Sequence, residues 1–129
     1  MREKKSLCYY ASAQFMAHKG LLLVNSGIEN KDFAVARDEI LHQLALCRQG
    51  DITGEELAAA RAALMTGWRA MLDDPLALER YWLAQAVAGT QISPEARIEQ
   101  VRQVTQEAVV QAARDTTLDT VYFMKGAGK

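Results

Sequence analysis

Hydrophobic and polar positions alternate from Leu7 to Met16, with Leu7, Tyr9, Ala11, Ala13 and Phe15 on one side and Cys8, Tyr10, Ser12, Gln14 and Met16 on the other. A two-residue period predicts a strand. Ala17-His18-Lys19-Gly20 is polar, ends in glycine and predicts a tight turn, and Leu21 to Ile28 reads as a second strand interrupted at Gly27. So short a link makes the two strands an antiparallel hairpin. From Asn30 on the period changes to three and four. Phe33, Ala36, Ile40, Leu44 and Cys47 form one stripe of a helix that Asn30 can cap and Gly50 stops.

Thr53-Gly54-Glu55-Glu56 carries the cap and the reciprocating glutamate of a capping box, and predicts a second helix with Leu57, Ala60, Leu64, Gly67 and Met71 inward. Asp74-Pro75 ends that helix and starts a third, since aspartate satisfies free N–H groups and proline suits the first turn. This third helix is apolar on most sides, at Leu76, Leu78, Tyr81, Trp82, Leu83 and Val87, which suits a central element or one lying under a partner. Gly89 closes it. Ser93-Pro94 opens a short helix with Ile98, Val101 and Val104 inward, and Thr105 caps a last one with Val109, Val110 and Ala113 inward. Leu118 to Met124 reads as a returning strand, and residues 126–129 as a frayed end. The expected architecture over residues 1–129 is a single α+β domain: a two-layer sandwich whose antiparallel sheet, the N-terminal hairpin plus the C-terminal strand, is covered by several helices.

Composition narrows the function classes. The 129 residues suffice for one core, and the half that is hydrophobic with a quarter charged is the profile of a folded domain. Fifteen basic against sixteen acidic side chains provide no general attraction to nucleic acid or to an anionic membrane, so neither is an expected partner. The apolar run from Leu7 to Tyr10 is too short for a signal peptide, and no stretch reaches the length of a membrane span. Cys8 and Cys47 show no paired spacing and fit two reduced, buried thiols of a cytoplasmic protein.

The candidate chemistry is concentrated at the start, in Arg2-Glu3-Lys4-Lys5-Ser6-Leu7-Cys8-Tyr9-Tyr10. Read without reference to any family, this is a basic chain start running into an edge strand. The string REKKSLCYY nevertheless resembles the R-E-K-R-G-L-A-Y segment in the C-terminal half of insulinase-type (pitrilysin-type) zinc metallopeptidases, which include the mitochondrial processing peptidases. The turn at His18-Lys19-Gly20, the Asp73-Asp74-Pro75 break, Val104-Thr105-Gln106-Glu107 and the closing Leu118-Asp119-Thr120-Val121-Tyr122-Phe123 follow the order of bacterial processing-peptidase-like members, so the resemblance covers nearly the whole chain.

It implies a truncated ferredoxin-like metallopeptidase half in which Arg2 and Tyr9 contact the backbone of a peptide substrate. In an unbroken strand those two side chains would lie about 23 Å apart on opposite faces, so Arg2 to Lys5 must depart from the strand for both to meet one peptide. A guanidinium and a phenolic O–H suit carbonyl oxygens of an extended chain. Tyr10 points the other way and is expected to pack.

The family's H-x-x-E-H zinc motif is missing. The two histidines, His18 at the hairpin tip and His42 in a helix, are 24 positions apart, and Asp73-Asp74 is accounted for by helix capping. There is no G-x-S-x-G elbow, P-loop or dinucleotide fingerprint. The chain is therefore expected to hold no cofactor and to be inactive alone, with zinc in a partner half. Its start at the motif implies a longer natural protein, and an exposed sheet edge or apolar face that would favour self-association. Two other readings stay open: a proteolytically inactive relative serving as an interaction module, and an unrelated helix-rich adaptor binding through the face around Trp82.

Overall fold

Gly20 adopts a left-handed backbone (φ 59°) that a side chain would disfavour, and its N–H bonds back to the Ala17 carbonyl. That turn joins β1 (Tyr10–Met16) to β2 (Leu21–Gly27) as the sequence predicts. The computed structural model describes residues 8–125; Arg2 lies outside the described residues. The antiparallel register runs from Tyr10 opposite Gly27 to Met16 opposite Leu21. It puts Ala11, Ala13 and Phe15 with Leu22, Val24 and Ser26 on one face, and Tyr10, Ser12, Gln14 and Met16 with Leu21, Leu23, Asn25 and Gly27 on the other. No strand position carries a charge.

The helices are α1 (Phe33–Gln49), α2 (Gly54–Leu72), α3 (Pro75–Val87), α4 (Pro94–Gln103) and α5 (Gln106–Asp115). The starts of α2 to α5 are set by the predicted caps, whereas Asn30 does not cap α1 but opens a 3-10 turn, Asn30–Asp32, that leads into it. The Thr53 hydroxyl accepts from the Glu56 N–H while the Glu56 carboxylate accepts from the Thr53 N–H. Asp74 accepts from the N–H groups of Leu76 and Ala77, Ser93 from Ala96, and Thr105 from Ala108. Gly50 and Gly89 close α1 and α3 with positive φ.

The chain divides into two units: residues up to Gln49 together with those from Val110 on, and residues 50–109 between them. In the second unit α2 packs on α3 and α4 around buried Tyr81 and Ile98. Tyr81 meets Trp68 and Trp82 edge to face, with ring centroids 5.5 and 5.4 Å away, and its hydroxyl donates to the Ile92 carbonyl. Gln85, also buried, accepts from the Thr90 hydroxyl and the Ile92 N–H, so both side chains of α3 hold the loop that follows it. The half-buried line of α2 is Leu57, Arg61, Met65, Trp68 and Met71, rotated from the expected one; Leu64 is exposed. Arg61 turns inward because its guanidinium donates to the Val104 carbonyl at the end of α4.

In the first unit α1 buries Ala36 on the predicted stripe, with Glu39 beside it accepting from Gln43. Arg48, at the end of α1, donates to the carbonyls of Ala113 (3.0 Å) and Thr116 (2.5 Å), while Arg114 donates to the Arg48 carbonyl at 3.2 Å. Each arginine thus satisfies the free carbonyl end of the other's helix.

The α+β class holds, with two corrections. Leu118 to Met124 forms no strand, and the sheet among the described residues has two strands rather than three. Alternation specifies an extended backbone but not a pairing partner, and here the segment is anchored elsewhere: Phe123 stacks on Phe33 at the start of α1, centroids 4.3 Å apart and 23° from parallel. The hairpin is also not covered as expected, since all but Met16, Ser26 and Gly27 of its strand residues are exposed and Phe15 keeps 65% of its surface. Phe123→Ala should release the segment at a cost of about 2 kcal/mol, roughly half that of a fully buried Phe, and expose Tyr122 to faster chymotrypsin cleavage.

Candidate functional site

Tyr9 stands one residue before β1. Its N–H donates to the Gly27 carbonyl at 2.7 Å, carrying the ladder one bond beyond the strand, so its Cα is held by the sheet. The next residue is held too: a Cβ on Gly27 would fall 2.3 Å from the Tyr10 ring, so the absent side chain at position 27 is what admits that ring. Tyr10 packs across Gly27 and Tyr9 projects away from it, as expected of neighbours in an extended segment.

Tyr9 is two-thirds exposed and its phenol donates to Glu29 Oε1 at 3.2 Å, while Glu29 Oε2 pairs with Lys31 Nζ at 2.9 Å. Glu29 is in an extended conformation just ahead of the 3-10 turn Asn30–Asp32 that leads into α1. Its carboxyl is held below the ordinary range, first by the hydrogen bond and charge of Lys31 and then by the Tyr9 hydroxyl; Lys31 is raised in turn, chiefly by Glu29. A carboxyl lowered in the folded state contributes its interaction above the unfolded value, near 4.5, and loses it as pH falls through the lower folded value. The Tyr9 ring resonances should therefore titrate with a midpoint below pH 4.5, a titration that Glu29→Gln abolishes. A midpoint above 4.5 would contradict the pairing.

Of the two residues singled out in the sequence, the structure places Tyr9, whereas Arg2 lies outside the described residues. Glu29 and Lys31 were not singled out. The signal that points to them is the hairpin register, which continues from Tyr10–Gly27 to bring Tyr9 beside the residues that follow β2. His18 and His42 are both exposed and sit on different elements, and Cys8 and Cys47 are free and half-buried rather than fully buried. Among the described residues no three His, Cys, Asp or Glu side chains come together to hold a metal ion. Nor is any helix among them long and apolar enough to cross a membrane. In the second unit a shallow depression of about 570 Å³ is lined by Trp82, Gln85, Ala86, Gly89, Thr90 and Gln91.

These features define an α+β module presenting an open, uncharged hairpin with a tethered phenol at one end. Residues 1–64 match the family model described as the peptidase M16 inactive domain. The chain is 35% identical over 126 residues, 98% of its length, to the probable inactive metalloprotease YmfF of Bacillus subtilis (strain 168). It superimposes with a TM-score of 0.73 and 29% identity on the crystal structure of a conserved protein from Enterococcus faecalis V583, over 88% of this chain. The chain belongs to the M16-like peptidase family, and its first 64 residues are of the C-terminal, inactive-domain type. It spans 30% of the length of the Bacillus relative and 27% of the Enterococcus one.

Proposed function

We propose that this chain is the substrate-binding, non-catalytic half of a zinc metalloendopeptidase, holding an extended peptide through Tyr9 and Arg2 while a zinc-bearing half or subunit hydrolyses it. The observation that carries this reading is the hairpin: its outer edges are unpaired among the described residues, it carries no charge, and Tyr9 stands exposed at its open end. An unpaired edge offers main-chain donors and acceptors to an extended chain, and a phenol adds one directional bond. Two free thiols favour a reducing, cytoplasmic location.

The test is to mix the protein with an H-x-x-E-H-bearing M16 half encoded in the same genome and follow an internally quenched peptide. Hydrolysis should require both chains and zinc, and Tyr9→Phe should reduce it about tenfold, the equivalent of one hydrogen bond of some 1.4 kcal/mol. A rate indifferent to this chain would overturn the proposal. A second reading, an interaction module without proteolysis, is favoured by the word "inactive" in the name of the Bacillus relative; it predicts peptide binding with no hydrolysis in any mixture. In either case the open hairpin favours self-association of the isolated chain, read as a sedimentation coefficient that rises with concentration.

A further inference from the structure

We propose that the outer face of α3 is a dimerisation surface, on which a second copy of this chain packs its own α3 in parallel, about a two-fold axis running along the helices. The inference is independent of the peptide-binding reading and concerns the unit of residues 50–109.

α3 buries one face and leaves a second apolar face bare. Tyr81 and Gln85 are buried in the unit, whereas Leu76, Leu83 and Val87, on the opposite side of the helix, keep 54, 64 and 75% of their surface. At 3.6 residues per turn these three fall within about 40° of one another and form a ridge about 17 Å long. A solvent-facing helix needs no such ridge, and valine is a poorer helix former than the polar residues that could replace it. Single exposed apolar side chains are ordinary, but a continuous row of them marks an interface.

The charges beside the ridge specify what covers it. Glu79 and Arg80 are the only charged residues of α3, and they flank the ridge on opposite sides, each about 40–60° from its centre. Both are exposed, and among the described residues neither has a hydrogen bond or an ion pair. α3 itself offers none, because the positions three and four away from each are Leu, Ala, Pro or Trp. A two-fold axis parallel to the helices sets each flank of α3 opposite the other flank of the second copy. Glu79 then faces Arg80 of the second copy, and Arg80 faces its Glu79, so that two ion pairs close over an apolar seam. Antiparallel packing would set glutamate against glutamate and arginine against arginine. The face is therefore self-complementary in one orientation only. With three large apolar side chains from each copy the interface stays below about 1,200 Å² in total, so the dimer is weak and reversible.

The test is sedimentation equilibrium of the full chain, paired with energy transfer between copies labelled at the C terminus. Leu83→Asp and Val87→Asp alter exposed positions, so each should leave the circular dichroism spectrum unchanged while weakening dimerisation about 10-fold or more. Glu79→Arg alone or Arg80→Glu alone places like charges across the seam and should weaken it roughly 3- to 10-fold, and the double reversal should restore it. An equimolar mixture of the two single reversals should form mixed dimers about 10-fold more tightly than either variant pairs with itself. Association through the hairpin, whose strands carry no charge, does not respond to these reversals. A dimer indifferent to both aspartate variants, a double reversal as weak as the single ones, or a mixture without preference would overturn the proposal. So would a chain that stays monomeric at millimolar concentration.

Discussion

Tyr81→Ala is expected to cost the second unit about 3–5 kcal/mol, the range for removing a large buried aromatic. Tyr81 keeps only 8% of its surface, touches both tryptophans edge to face, and ties α3 to the loop at Ile92 through its hydroxyl. For a domain of this size such a loss lowers the thermal midpoint by roughly 10–20 °C, readable by circular dichroism. Tyr81→Phe separates the two contributions. It keeps the ring contacts and leaves the Ile92 carbonyl without the phenolic donor, so it should cost only about 1 kcal/mol. Equal effects of the two substitutions would mean that the hydroxyl, not the ring, holds the unit.

Arg48→Ala is the second large effect, about 2–3 kcal/mol. One side chain provides donors to two carbonyls, at Ala113 and Thr116, in a part-buried setting, and alanine leaves both unpaired. Arg48→Lys keeps the charge but not the planar fork that spans two acceptors, so it should recover less than half of the loss. Hydrogen exchange should accelerate at the end of α1 and around residues 113–117, with the second unit unchanged. Uniform acceleration along the whole chain would show that the arginine pair supports more than the joint it bridges.

The starts of α2 to α5 were the most legible part of this chain because each is written in residues that act locally, whereas Asn30, expected to cap α1, lies in a 3-10 turn ahead of it. Thr53 with Glu56, Asp74 with Pro75, Ser93 with Pro94, and Thr105 satisfy N–H groups two or three positions away, and no tertiary contact is needed to read them. The Gly20 turn was legible for the same reason. What the pattern missed depends on distant partners. Glu39 and Gln85 are polar yet buried, Gln85 because it bonds the loop beyond its helix. Arg61 rotated the inward face of α2 because its acceptor, Val104, lies 43 positions on. Leu118 to Met124 has a strand's alternation, but the stacking of Phe123 on Phe33, 90 positions earlier, decides where it lies. At the candidate site, Tyr9 was singled out through a family resemblance, whereas Glu29 is 20 positions away and meets it only once the hairpin register is known.

The placement of the aromatic rings gives the protein a built-in division of optical labour. The chain has two tryptophans, and both lie against Tyr81 in the unit of residues 50–109. Excitation at the red edge of the indole band therefore follows that unit alone and is blind to the melting of the hairpin and α1. The far-ultraviolet signal reports the helices and strands of both units together. Coincident curves from the two probes in denaturant would establish that both units unfold as one cooperative system, and separated curves would assign a stability to each without a single label or substitution.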